Sequence, residues 1–140
     1  MADKPTEALT AHEVSHALMN IYMGCQSVTI QKDGDGLATL PQWGPDVTPT
    51  IILSGLMAGR LCLDGVDNSD DEMLIANFPS EMQVAAQLVV DAFAEHIHEV
   101  IGQMRNNGSL SGLAAVLDKA GEFTMGAEQC EQLRQSRIKH

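Results

Sequence analysis

His12, Glu13 and His16 form a His-Glu-x-x-His pattern, with Val14 and Ser15 at the two free positions. On an α-helix, residues four apart project from one face about one turn from each other. Both imidazoles can then reach a single zinc ion at about 2.0–2.1 Å. Glu13 is offset around the helix, where it can take a proton from a metal-bound water without becoming a ligand. Metal lowers the pKa of such a water to about 7 and polarises a carbonyl, so residue types and spacing together point to metal-assisted hydrolysis. The other reading of these residues is a pair of hydrogen-bonded core histidines. Two buried histidines beside a glutamate are costly without a purpose.

The motif needs a helix that is itself inside the protein. Periodicity predicts one from about Pro5 to Met23, with proline suited to the first turn and Gly24 to the stop. Val14, Ala17, Leu18 and Ile21 fall on one face, while Ala8, Leu9, Met19 and Met23 surround the histidines on the other. A helix apolar on both sides is buried on both sides. A short β-hairpin follows, Val28–Ile30 and Leu37–Leu40 flanking Asp33-Gly34-Asp35-Gly36. Pro41 to Pro49 reads as a loop containing Trp43, which anchors on the core or lines a groove. A helix spans roughly Thr50 to Leu63, then an acidic loop from Asp64 to Ser69.

Ser69-Asp70-Asp71-Glu72 and Ser80-Glu81-Met82-Gln83 both have the form of a capping box. The first predicts a short helix. The second opens the longest one, to about Arg105, with Met82, Ala86, Val89, Phe93, Ile97, Val100 and Met104 along one face. That stripe leaves a homo-oligomer seam open. Further helices are expected near Leu110–Ala120 and Ala127–Arg137. On the long helix Glu95-His96-Ile97-His98-Glu99 has metal-binding residue types, but residues two apart face different ways, and an exposed polar face accounts for them better.

At 140 residues, 44% apolar and 19% charged, the chain reads as one globular domain, residues 1–140. Aromatic residues are 4%, so Ala, Leu, Ile, Val and eight Met must fill the core, a blend that favours helices. The net charge of −11 argues against nucleic acid and anionic membranes as partners. The last basic cluster, Arg134, Arg137 and Lys139, is expected at a frayed end. Cys25, Cys62 and Cys130 are odd in number and widely spaced, as buried thiols of a reducing compartment would be. Met1 to Pro5 lacks the apolar stretch of a secretory signal, and no apolar run reaches the length of a membrane span. A cytoplasmic location is the expectation.

The surroundings of the motif add a resemblance. Thr10-Ala11-His12-Glu13-Val14-Ser15-His16-Ala17-Leu18, followed by Gly24-Cys25-Gln26-Ser27-Val28-Thr29-Ile30, resembles the peptidase domain of the FtsH-type ATP-dependent zinc proteases. Those carry HEAGHA on a helix, then a glycine and a V-T-I strand. Gly36 to Pro41 is similar to their next strand, and Ser54 to Leu61 falls where they have an A-G-R-A-A-E-E helix. Ser69-Asp70-Asp71 resembles their S-N-D, whose aspartate is the third zinc ligand. The likeness covers about residues 6 to 78. It departs at Ser15, where the family has glycine, and at Gly59 and Arg60, where the family has an acidic pair. No Walker A loop or membrane span accompanies it, so the expected activity is ATP-independent.

The resemblance implies zinc held by His12, His16 and Asp71, with Glu13 as general base and a peptide or unfolded protein as substrate. From the residues alone, Asp67 and Asp70 stay open as third ligands, as do Glu81, Glu95 and Glu99 of the long helix. A strand edge at Val28–Ile30 or Leu37–Leu40 is the expected docking line for an extended peptide. The expected fold is α+β and mostly α-helical: a zincin-like helix bearing the motif, a small β-hairpin or sheet beside it, and a helical bundle completing the core. A zinc-binding adaptor without turnover is the rival reading.

Overall fold

A computed structural model describes residues 6–138. The fold is α+β, mostly helical, with one three-stranded antiparallel sheet. Helix α1 runs Glu7–Tyr22. Thr6 caps it, its hydroxyl accepting from Leu9 N at 3.0 Å, so the start falls after Pro5, which lies outside the described residues. Every residue from Thr10 to Ile21 is buried, as a helix apolar on both sides requires. Gly24 follows the end with a φ of +103°, a conformation glycine adopts without penalty.

Strands β1 (Ser27–Asp33) and β2 (Gly36–Gln42) form the expected hairpin, each longer than the sequence indicated. Of its two turn glycines only Gly34 takes positive φ, +62°. A third strand, β3 (Glu122–Met125), was not foreseen. It pairs antiparallel with the other side of β1, Ile30 opposite Phe123 and Thr29 bonded to Thr124 through their hydroxyls at 2.7 Å. The order is β2-β1-β3, so β1 is the central strand.

Helix α2 (Pro49–Met57) is capped by Thr48, and the helix expected to continue to Leu63 tightens instead into a 3-10 turn, Ala58–Leu61. Helices α3 (Ser69–Ala76), α4 (Ser80–Asn106), α5 (Ser109–Ala120) and α6 (Ala127–Ile138) complete the chain. Neither capping box forms. Asn68 and Pro79 are the N-caps, Ser69 and Ser80 being first helical residues. Asp67 does the capping work of the first, accepting from Ser69 N at 3.0 Å. Gln83 of the second reaches back to the Phe78 carbonyl.

The main core surrounds α1 and takes in β1, α4, α5 and α6; a smaller one joins Leu53, Met57, Ile75, Ala86 and Val90 of α2, α3 and α4. The predicted α4 stripe is buried or half-buried along its length. Cys25 and Cys130 are buried, Cys62 is half-buried, and all three are free thiols. Burial pushes the Cys25 thiol up to about 12. Of the basic cluster expected at a frayed end, Lys139 lies outside the described residues, and Arg134 does not fray. Its guanidinium donates to the carbonyls of Ile21 and Cys25 at 2.9 and 3.0 Å, at and just beyond the end of α1, where a cation is favoured. Among the described residues no helix is long and apolar enough to cross a membrane.

Candidate metal centre

His12 and His16 face one another across a turn of α1, ring centroids 4.8 Å apart and planes nearly perpendicular. Each ring is fixed from behind. His12 Nδ1 lies 2.9 Å from the Cys62 carbonyl, and His16 Nδ1 lies 2.9 Å from the Gly55 carbonyl. A carbonyl only accepts, so both Nδ1 atoms carry the hydrogen and a neutral ring presents its Nε2 lone pair forward. The two Nε2 atoms are 3.3 Å apart. Asp71 of α3 brings Oδ2 to 3.1 Å from His12 Nε2 and 2.9 Å from His16 Nε2.

Three acceptors thus converge, and only a proton or a cation between them relieves the repulsion. A tetrahedral zinc at about 2.0–2.1 Å from each would hold its ligand atoms about 3.3–3.4 Å apart, within a few tenths of an ångström of these separations. Two imidazoles and a carboxylate suit zinc and other divalent transition metals alike. Carbonyl partners behind both rings are the outer contacts that orient metal-binding histidines.

The local backbone is cut to fit the rings. A Cβ on Gly59 would lie 2.5 Å from His16 Nε2 and 2.7 Å from His12 Cε1, so no side chain is admissible there. A Cβ on Gly55 would collide with the Asn20 side chain. The 3-10 turn brings Gly59 against the imidazoles, which is why the helix does not run on uniformly.

Glu13 is buried beside the cluster, Oε2 3.8 Å from His12 Nε2. Thr39 of β2 donates its hydroxyl to Glu13 Oε1 at 2.9 Å. Burial raises the Glu13 carboxyl above its usual range against the opposing pull of His16, Thr39 and His12. Burial would lower His12, but the Asp71 hydrogen bond and neighbouring charge leave it raised. Burial would raise Asp71, yet the two histidine bonds hold it well below the usual carboxylate range.

The residues expected to act together are together: His12, Glu13, His16 and Asp71. Among the described residues, His12, His16 and Asp71 are the one group of His, Cys, Asp or Glu with ligand atoms clustered for an ion. Asp67 is occupied with Ser69, and Asp70 is exposed on the groove wall. Glu81, Glu95 and Glu99 are exposed on α4 and outside the cluster. His96 bonds Tyr22 at 3.0 Å, and His98 bonds the Leu61 carbonyl at 3.0 Å. With Asn68 as cap, Asp71 is the third helical residue of α3, one later than the Ser69 register implied.

Sequence reasoning missed Gly59, Gly55, Thr39 and the Cys62 carbonyl. A glycine inside an apolar helical stretch was the available signal for the first two; the others belong to tertiary contacts with no local mark. The cluster opens into a groove of about 580 Å³ walled by β2, α2, α3 and the loop carrying Trp43. Trp43 both packs on the core and lines this groove. In comparisons of the sequence with known proteins, no protein-family model matches the chain and no significant match is found among curated proteins.

Proposed function

We propose that the chain is a zinc-dependent metallopeptidase resembling the FtsH-type peptidase domain, acting without ATP on extended peptides or unfolded protein in the cytoplasm. The observation that carries this reading is the convergence of His12 Nε2, His16 Nε2 and Asp71 Oδ2 beside a buried carboxylate at the floor of an open groove. His12, His16 and Asp71 would hold the zinc, which when bound would supply Lewis acidity and make water a nucleophile near neutral pH.

Glu13 takes the proton of the attacking water on the oxygen that Thr39 leaves free, and returns it to the leaving amine. A carboxyl raised by burial is matched to that exchange. Thr39 fixes the rotamer of Glu13, and the Cys62 and Gly55 carbonyls fix the tautomer of each histidine. Of the two docking lines expected, β1 is paired on both sides, whereas β2 walls the groove with its outer side unpaired among the described strands. A substrate strand is accordingly assigned to β2, held by main-chain hydrogen bonds.

The test is metal content followed by turnover. Protein purified without a tag is expected to hold about one zinc per chain, and the His12→Ala/His16→Ala variant none. Glu13→Gln is expected to keep the zinc while losing about 10²–10⁴-fold in casein cleavage, with ATP making no difference. Stoichiometric zinc in the double alanine variant overturns the metal site. Wild type and Glu13→Gln equally inert, each with one zinc, replaces the enzyme by a zinc-binding adaptor.

A further inference from the structure

Helix α3 carries the third member of the cluster on a slender support. It has eight residues, and Ile75 is the one that is buried; Met73 and Leu74 face outward. An oxygen that must sit near 3 Å from two imidazole nitrogens needs a firmer hold than one buried side chain in the smaller core. The firmest polar contact reaching α3 comes from Arg60, on the 3-10 turn directly after the glycine that packs against both rings. Arg60 Nε and Nη2 donate to the two oxygens of Glu72 at 2.7 Å each. Glu72 is the residue next to Asp71. The remaining arm, Nη1, donates to Gln87 of α4 at 3.2 Å, and Asn68 Nδ2 adds a bond to Glu72 at 3.2 Å.

We propose that Arg60 is a positioning residue for the metal centre, its fork on Glu72 holding the first turn of α3 so that Asp71 Oδ2 meets His12 and His16. This rests on the metal-centre reading above. The 3-10 turn thus serves the centre twice: Gly59 makes room for the histidines, and the next side chain sets the distance to the aspartate. The guanidinium suits the task because its planar fork fixes direction as well as separation, which an ammonium does not. Half-exposed ion pairs contribute little to folding, so loss of Arg60 should act on the site more than on the fold.

The experiment is zinc affinity by chelator competition on the full chain, alongside the melting temperature of the metal-free protein. Arg60→Ala and Glu72→Ala are each expected to weaken zinc binding about 10–100-fold, the range for outer partners of a metal site. The double variant should lose much less than the two singles together, because both remove the same fork and only the bonds to Gln87 and Asn68 are separate. Arg60→Lys should recover only part of the loss, and it serves as the measured variant if Arg60→Ala does not fold. With cobalt in place of zinc, the visible absorption of the Arg60 variants should shift as Asp71 moves. Affinity within threefold of wild type, or losses in the two singles that add in the double, overturns the proposal. A wild-type chain that binds no zinc defeats the metal centre itself, a result distinguishable from either.

Discussion

Helices α1 and α3 meet at one point, and they are held there by opposite means. Twelve consecutive residues of α1, Thr10 to Ile21, are buried, so the two histidines are placed by packing around the whole circumference of the helix. Only Ile75 of α3 is buried, and on the proposal above Asp71 is placed by the hydrogen bonds of its neighbour Glu72. Packing fixes a helix without regard to any single contact, whereas a thin helix depends on each one. The histidine pair is therefore a rigid half of the site and the aspartate an adjustable half.

The largest expected effect lies on the adjustable side. Asp71→Ala should reduce zinc affinity beyond the roughly 100-fold that an outer partner can reach, while Asp70→Ala stays within about threefold of wild type. Asp67→Ala should also keep its metal, with a slightly lower melting temperature as its two bonds to Ser69 are lost. Chelator titration and thermal melts separate the three. An Asp70→Ala variant that loses metal while Asp71→Ala keeps it would reverse the assignment.

A smaller effect tests the rigid side. Gly59→Ala drives a methyl group into both imidazoles and should cost about 1–3 kcal/mol, as overpacking does, with weaker zinc binding. Gly102→Ala, in α4 with open space at its Cβ, should instead stabilise by about 0.4–1 kcal/mol. Equal melting temperatures for the two variants would show that the rings yield, and the contrast between rigid and adjustable halves would fail.

The smallest effect is a pH dependence with opposite signs. In metal-free protein, His12 is raised by its bond to Asp71 after burial has worked against it. A raised group contributes stability fully present below its unfolded value, about 6.5, and lost as pH rises through the folded value. Asp71 is depressed, so its share is present above about 3.9 and lost as pH falls. Both describe one ion pair and are not added. The buried Glu13, also raised, acts in the same direction as His12. The metal-free melting temperature should peak between about pH 4 and 6.5 and decline towards pH 8, while zinc affinity climbs over that interval because the ligands must lose protons. A metal-free protein most stable at pH 8 would contradict this.

The rigid half was legible in the sequence and the adjustable half only partly. His12 and His16 are spaced by helix geometry alone, and the apolar residues on both sides of α1 announced its burial. Asp71 was reached through resemblance to a family motif, since Asp67 and Asp70 have the same chemistry within four positions. The expected Ser69 cap was displaced because the Ser69 amide and hydroxyl both donate to Asp67, while Arg60 holds the Glu72 carboxylate that the box would have turned back; such contacts leave no periodic signal. β3 was missed because four residues are too few for an alternation to register; the brackets Gly121 and Gly126 around Phe123 and Thr124 were the available clue. Arg134 was assigned to a frayed end because its acceptors, Ile21 and Cys25, lie over a hundred residues away.

Trp43 is the only tryptophan of the chain, and it stands on the groove wall. An indole half in contact with solvent changes its emission when that solvent is displaced. The chain therefore carries its own optical reporter: a peptide settling along β2, or an inhibitor filling the groove, should alter the fluorescence of a single, unambiguous site. If the proposed activity holds, occupancy could then be followed in Glu13→Gln protein, where cleavage is expected to stop, and in protein treated with a zinc chelator. Binding and catalysis become separately measurable without a label.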